Sequence, residues 1–482
     1  MRHLAAAAAA LGLGMALPVA AATVLDGVTI IDTATGHLQP GRAILIDGGR
    51  IFRIARAGTI KTGGATALID ARGKFVVPGY LDMHAHPLNS GGPERSLPLM
   101  VANGITGYRQ MAGSDALLAQ WRQGTLPVPA VAPELLALPG MVLAGPLARD
   151  PVATAAEVRR QITAGADLIK IIDLGPPAFF AALAAANDAH VATSGHLPPT
   201  VDVREAAAKG MKSIEHLGPQ ISLLEACSSD ETAIRAAAAS APPRGGGINF
   251  AMPLADVKRM VANPMVATDP ATFRTIQHVL DTYDDARCRA LAKTLAASAM
   301  WQVPTLIRVR TMEFGDDAAY RDDPNLRYAP ADDRALWADV GQRFTARMTP
   351  ENRAMLAALF ARQLKLVKLF DDAGVKMLAG TDFGGQWIVA GFSLHQEFDL
   401  LAQAGLSPLR VLQMTTRDGA RFLGREATMG SVAAGKDANL VVLDANPLAA
   451  VANLHRIDAV VCGGHYYTRA DLDAIERTAA LP

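Results

Sequence analysis

The sequence predicts an α/β protein: a (β/α)8 barrel of the TIM type, carrying a small β-sandwich domain assembled from both chain ends. Eight short apolar runs recur between about Pro78 and Gly424 with helix-like stretches between them, the rhythm of parallel βαβ units. Strand-rich, glycine-punctuated segments occupy the two ends of the chain but not its middle. With 482 residues, 50% hydrophobic and 19% charged, there is material for a large core, and a disordered, collagen-like or heptad-dominated chain is excluded.

Residues 1–22 read as an export signal. Arg2 and His3 precede an apolar run from Leu4 to Pro18, and Val19-Ala20-Ala21-Ala22 supplies the small residues a signal peptidase needs. That run is mostly alanine, too weakly apolar to favour a membrane span. No later stretch is long and apolar enough to span a bilayer, so the expected mature protein is exported, to the periplasm or the exterior, without stable membrane insertion. Lys+Arg 46 balances Asp+Glu 46, and losing Arg2 leaves the mature chain near −1. A neutral chain offers no electrostatic surface for nucleic acid. Cys227, Cys288 and Cys462 lack metal-binding spacing. Cys227 and Cys288 can pair in an oxidising compartment, and three free thiols fit the sequence as well.

Residues 23–77 and 425–482 are the expected composite β-domain. Val28 to Ile31, Ala43 to Ile46 before Asp47-Gly48-Gly49, and Ile51 to Ile54 are β-branched runs bounded by turn residues; Ala438 to Leu443 and Ala459 to Gly464 repeat the pattern. Chain ends often lie close together, which makes one domain from both the simplest assembly. Residues 78–424 then form the barrel, with strands at Val76 to Met83, Ile105 to Met111, Leu135 to Leu138, Ala166 to Ile172, Val191 to Gly195, Lys212 to Glu215, Trp301 to Leu306 and Val375 to Ala379. Insertions at about 217–299 and 308–364 far exceed an ordinary loop of ~2–6 residues and are expected to roof the barrel mouth.

The chemistry gathers at strand ends. His84-Ala85-His86 closes the first barrel strand, and side chains at i and i+2 share a face, so both imidazoles can reach one metal ion. His196 follows the fifth strand, His216 the sixth and Asp382 the eighth, all at the face where barrel enzymes build their sites. Lys170 lies inside Leu168-Ile169-Lys170-Ile171-Ile172, where both strand faces are buried. Burial favours the neutral amine, which can react with carbon dioxide to give a carbamate able to bridge two metal ions. A structural role, paired with Asp173 or Glu215, is the other reading of Lys170.

Val77-Pro78-Gly79-Tyr80-Leu81-Asp82-Met83-His84-Ala85-His86, Gly165-Ala166-Asp167-Leu168-Ile169-Lys170, Ser213-Ile214-Glu215-His216, Pro304-Thr305-Leu306, Leu378-Ala379-Gly380-Thr381-Asp382 and the tail from Gly430 to Leu440 resemble the amidohydrolase superfamily. Nearly the whole mature chain is covered. The resemblance is strongest to the branch with two metals and a carboxylated lysine, including the prolidase-like Xaa-Pro dipeptidases and carboxypeptidases. It implies two divalent ions, zinc expected: one on His84, His86 and Asp382, the other on His196 and His216, with carboxylated Lys170, which requires CO2, bridging both. Ser194-Gly195 before His196 and Gln110 after Arg109 depart from the family pattern and bear on the substrate.

Such a site implies hydrolysis of an amide-type carbon–nitrogen bond in a dipeptide, N-acyl amino acid or related small amide. A metal-bridged hydroxide would be formed near neutral pH, with Asp382 taking and returning the proton. Glu215 and Thr381 are candidates to support the ligands, although strand alternation points Glu215 away from the face of His216 and towards an ion pair. Tyr108, Arg109 and Arg308 are candidate substrate contacts, an arginine there being able to clamp a carboxylate. His395 reads as structural. A one-metal deaminase or an imidazolonepropionase-like hydrolase of cyclic amides is the enzyme alternative, and a non-catalytic scaffold the alternative from another class. The resemblance also implies a homo-oligomer.

Overall fold

The computed structural model describes residues 22–63, 66–90, 92–219, 221–240 and 253–480; the expected export signal lies outside the described residues, apart from Ala22. Five strands open the chain: β1 (Thr23–Ile31), β2 (Leu38–Asp47), β3 (Arg50–Arg56), β4 (Ala67–Asp70) and β5 (Phe75–Pro78). Eight parallel strands follow: β6 (Tyr80–Ala85), β7 (Ile105–Gln110), β8 (Glu134–Ala137), β9 (Leu168–Ile171), β10 (Ala192–Gly195), β11 (Ser213–Glu215), β12 (Trp301–Val303) and β13 (Lys376–Met377). β14 (Leu440–Leu443), β15 (Ile457–Cys462) and β16 (His465–Tyr467) close the chain.

Both chain ends enter one mixed sheet of eight strands, ordered β16-β15-β14-β5-β1-β2-β3, with β4 also on β1. It forms one continuous sheet by its pairing, where the sequence suggests a sandwich. β5 and β14 join the two ends, pairing Val77 with Val441 and Val76 with Val442. Alternate residues of these strands, among them Leu25, Ile44, Val76, Leu440 and Val461, are buried together on one face.

The parallel strands form a set of three, β6-β7-β8, and a set of five, β9 to β13 in order. The two sets meet at both seams. Pro139 bridges Leu168 and Leu143 bridges Ile171 at one seam, while Ala85 bridges Phe383 at the other. Met83 N–H donates to Ala379 C=O at 3.0 Å beside the second bridge. This mixed α/β topology is consistent with a barrel of eight strands in sequence order.

The run Val76 to Met83, one strand in the sequence reading, is two strands in two sheets. Gly79 separates them, and a Cβ there would overlap the Thr106 side chain of the neighbouring strand. Apolar residues continue through the break because both halves are buried.

Among the described residues, the two insertions are largely helical. Helices Ser222–Glu225, Glu231–Ser240, Leu254–Ala262, Pro270–Asp281 and Asp285–Ala297 lie between β11 and β12; Leu306–Glu313, Ala318–Arg321, Ala331–Arg347 and Pro350–Asp372 lie between β12 and β13. Glu231 ties the first group to the helix after β10, accepting from Arg204 at 2.7 Å and Arg287 at 2.9 Å. Cys227 and Cys288 form a disulfide within the same group, and Cys462 is free. Closing a loop of 61 positions stabilises the folded chain by about 4 kcal/mol in the chain-entropy model. Reduction, or the C227S/C288S variant, is therefore expected to lower the urea midpoint, and an unchanged midpoint counts against that contribution. Among the described residues, no helix is long and apolar enough to cross a membrane.

Candidate metal centre

Side chains from β6, β9, β10, β11 and the loop after β13 meet at the C-terminal ends of the parallel strands. His84 ends β6 fully enclosed, with His86 two residues on and half-buried. Both point at one carboxylate oxygen: Asp382 Oδ1 lies 3.1 Å from His84 Nε2 and 2.9 Å from His86 Nε2. One ligand atom from each of these three residues fits within 4.8 Å of the others. His216 Nε2 stands 3.8 Å from Asp382 Oδ2. Its ring centroid is 4.7 Å from that of His84 and 5.2 Å from that of His196, so the four imidazoles form a continuous row.

The backbone beneath this row is unusual. His216, Thr305 and Asp382 have φ of 59°, 42° and 57°, in the left-handed region that side chains other than glycine, asparagine and aspartate seldom enter. Each such residue costs of order 1–3 kcal/mol and persists only where its surroundings dictate it. Here His216 N–H is held by Val303 C=O at 2.9 Å and Asp382 N–H by His84 C=O at 2.7 Å. Stability is spent on aiming these side chains inward.

Burial sets their protonation. It lowers His86 and His216, and takes His196 down to about 3 with Lys170 adding to the effect, so these rings are neutral and offer lone pairs. Burial by itself would raise the Asp382 carboxyl, but the facing imidazoles of His216 and His84 and the hydrogen bond with His86 hold it well below the usual carboxylate range. Lys170 is enclosed, its amine within electrostatic reach of Glu215, Asp382 and Arg109. Burial brings its amine down to about 8 against the opposing pull of Glu215 and Asp382. Neutral imidazoles and an anionic carboxylate oxygen are donors that suit a divalent transition ion.

His84 shows the fit most directly. Its Nδ1 lies 2.7 Å from Glu215 Oε2, which can only accept, so the ring proton sits on Nδ1. Its Nε2 is then a lone pair, buried and without a hydrogen-bond partner. Glu215 is in turn held by Arg109, and although burial alone would raise the carboxyl, Arg109 and His84 hold it far below the ordinary carboxylate range. Thr305 Oγ1 performs the corresponding service at His216 Nδ1, at 2.6 Å.

Of the expected supporting and substrate residues, Glu215 and Arg308 reach the centre, whereas Arg109, Tyr108 and Thr381 are engaged elsewhere. Arg109 is enclosed between the two parallel sheets with all five donors engaged: Nε on Met83 C=O, Nη1 on Ser194 and Ser213, Nη2 on both oxygens of Glu215. A substrate carboxylate finds no donor there. Tyr108, its neighbour on β7, is packed in the hydrophobic core with its hydroxyl unpartnered. Arg308 does reach the centre, with Nε 3.0 Å from Asp382 Oδ2, while its two Nη atoms donate to Ala262 C=O and Val261 C=O. Thr381 donates to Asp82 Oδ2 at 2.7 Å instead of supporting Asp382, and Gln110 pins the loop after His86 through Leu88 N–H and Ala112 C=O. His395 is buried on a helix against Asn103 C=O. Thr305 and the Glu215 contact to His84 were not singled out by the sequence reading; the one local signal was a hydroxyl and a carboxylate immediately beside strand ends.

Residues 333–466 match the model of the Amidohydrolase family. Among curated relatives, a dihydroorotase of Pelotomaculum thermopropionicum is 43% identical over 63 residues, 13% of this chain and 14% of that protein. An adenine deaminase of Chelativorans sp. is 29% identical over 209 residues, 39% of this chain and 34% of that protein. The chain thus spans about a third or less of the length of these relatives. Solved structures match over far more. The bottromycin amidohydrolase superposes with a TM-score of 0.68 at 23% identity, covering 95% of this chain and 90% of the other. A putative prolidase from Bifidobacterium longum gives 0.58 at 20%, covering 96% and 100%. A Xaa-Pro dipeptidase gives 0.57 at 20%, covering 93% and 100%. Part of the chain, residues 333–466, thus resembles the Amidohydrolase family, and its fold is shared with the bottromycin amidohydrolase and the putative prolidase.

Proposed function

We propose that the protein is an exported, metal-dependent hydrolase that cleaves an amide-type carbon–nitrogen bond in a dipeptide, N-acyl amino acid or related small molecule. One observation carries the reading: a lysine amine buried among the strand ends, within electrostatic reach of His86, His196, His216 and Asp382. A buried ammonium is costly, and the same amine carboxylated by CO2 would become a second anionic oxygen ligand beside the row of imidazoles. His84, His86 and Asp382 would hold one zinc ion and His196 and His216 a second, with carboxylated Lys170 between them. Bound there, the ions supply Lewis acidity and lower the pKa of water.

The chain's own residues do the rest. Asp382 accepts the proton of the attacking water and returns it to the leaving amine, a role that its anionic state suits. Glu215 and Thr305 fix the ring orientations of His84 and His216, so that no reorganisation is needed as charge develops. The eight parallel strands are read as a closed (β/α)8 barrel with the shared sheet as a separate composite domain. Export fits the disulfide between Cys227 and Cys288, a bond that persists in oxidising compartments. Assembly is read as homo-oligomeric.

The adenine deaminase relatives favour a second reading, a one-metal deaminase on the same fold. Metal analysis with a panel of dipeptides, N-acyl amino acids, cyclic imides and adenine separates the two. Two zinc ions per chain and amide cleavage are expected, with kcat falling about 10²- to 10⁴-fold in Asp382→Asn. One ion per chain with deamination establishes the alternative.

A further inference from the structure

We propose that Arg308 is a positioning residue: it divides the two oxygens of Asp382 between separate tasks, and is itself set by the end of the insertion helix Leu254–Ala262. The inference rests on the metal centre proposed above. Asp382 Oδ1 lies against the nitrogens of His84 and His86, whereas Oδ2 lies 3.0 Å from Arg308 Nε. A carboxylate free to turn about its Cβ–Cγ bond would exchange these oxygens. The guanidinium prevents this only if it is itself fixed, and it is: Nη1 donates to Ala262 C=O at 2.5 Å and Nη2 to Val261 C=O at 2.6 Å. These are the last carbonyls of that helix, where the backbone has no internal partner and a cation is favoured.

The anchorage extends to the loop that carries Asp382. Gln386 N–H donates to the same Ala262 C=O at 3.0 Å, and Asn263 Nδ2 donates to Gln386 Oε1 at 2.8 Å. Gly385 completes the fit, because a Cβ there would overlap the guanidinium. The insertion thus touches the reacting carboxylate through one side chain whose two Nη atoms are each anchored on backbone. Arg308 therefore acts on turnover and on ligand geometry, its Nη atoms held by backbone and its Nε edge by Asp382.

The test uses Arg308→Lys and Arg308→Met in the metal-loaded full-length protein, with matched substrates that carry or lack a free carboxylate. The expected result is a fall in kcat of about 10- to 100-fold for both substrates, the usual cost of losing an outer partner of a metal ligand, with KM within about threefold. Lys restores part of the loss. A second readout needs no turnover: the visible spectrum of the cobalt-substituted protein should shift in Arg308→Met, since Asp382 is free to turn. A KM that rises only for the free carboxylate with kcat retained makes Arg308 a substrate clamp and overturns the proposal. So does an unchanged spectrum with unchanged kcat. A wild-type protein that binds no metal and cleaves no amide overturns the proposed function as well, whereas an active wild type with indifferent Arg308 variants overturns this inference alone.

Discussion

Arg109→Met is expected to destabilise the metal-free protein by about 3–5 kcal/mol, the cost of leaving a buried carboxylate without its counter-charge. Glu215 is fully enclosed, and Arg109 is the cation that faces it, donating to both carboxylate oxygens beside Ser213 and His84. Replacing the pair, as in Arg109→Met with Glu215→Met, removes both charges and is expected to recover most of the loss, since apolar groups of similar volume often equal a buried ion pair. Zinc affinity should not recover with it. The double variant leaves His84 Nδ1–H unpaired and its ring free to adopt the other tautomer, so affinity is expected to fall about 10- to 100-fold. Urea unfolding and competitive zinc titration check the two halves separately. A single variant as stable as wild type removes the case for a buried pair.

Lys170→Met is expected to act in opposite directions on stability and catalysis. In the metal-free chain, burial takes the Lys170 amine from 10.5 down to about 8. At roughly 1.4 kcal/mol per unit this is a penalty of about 3 kcal/mol on the protonated folded state. The folded pKa lies below the unfolded one. The penalty is therefore complete below about pH 8, shrinks as pH rises towards 10.5, and vanishes above it. Metal-free Lys170→Met should accordingly be more stable than wild type at pH 7 and equal to it at pH 11. The same variant should lose the second zinc ion and at least about 10²- to 10³-fold in kcat, the scale of removing a preorganised electrostatic group. Turnover retained at full rate would exclude a bridging role for Lys170.

Strand order was legible because each barrel strand is a short buried run closed by polar residues, and a run such as Leu168 to Ile171 reads the same way in sequence and in structure. Sheet membership was not. Nothing in the apolar run of Val76 to Met83 signals that it leaves one sheet for another at Gly79. The centre was legible as a set of strand ends, since parallel strands in register bring their C-termini to one face. The partners of its side chains were hidden, because they depend on which residue of a distant strand lies opposite. Arg109 and Arg308 look alike as arginines beside strand ends. One is sealed against Glu215 and the other reaches Asp382 through a helix end.

The passage of one extended segment through both sheets has a consequence for how the protein is made. β6 carries His84 directly beyond β5, and β5 lies between β1 and β14, with Tyr80 Oη–H donating to Leu454 C=O across 374 positions. Synthesis from the N-terminus delivers the histidine strand long before its lateral support exists. Contacts this remote must overcome the full entropy of closing the chain, and they form slowly. The centre is thus assembled after release, and a chain truncated ahead of Leu440 should emerge without the capacity to retain metal, although every ligand is present.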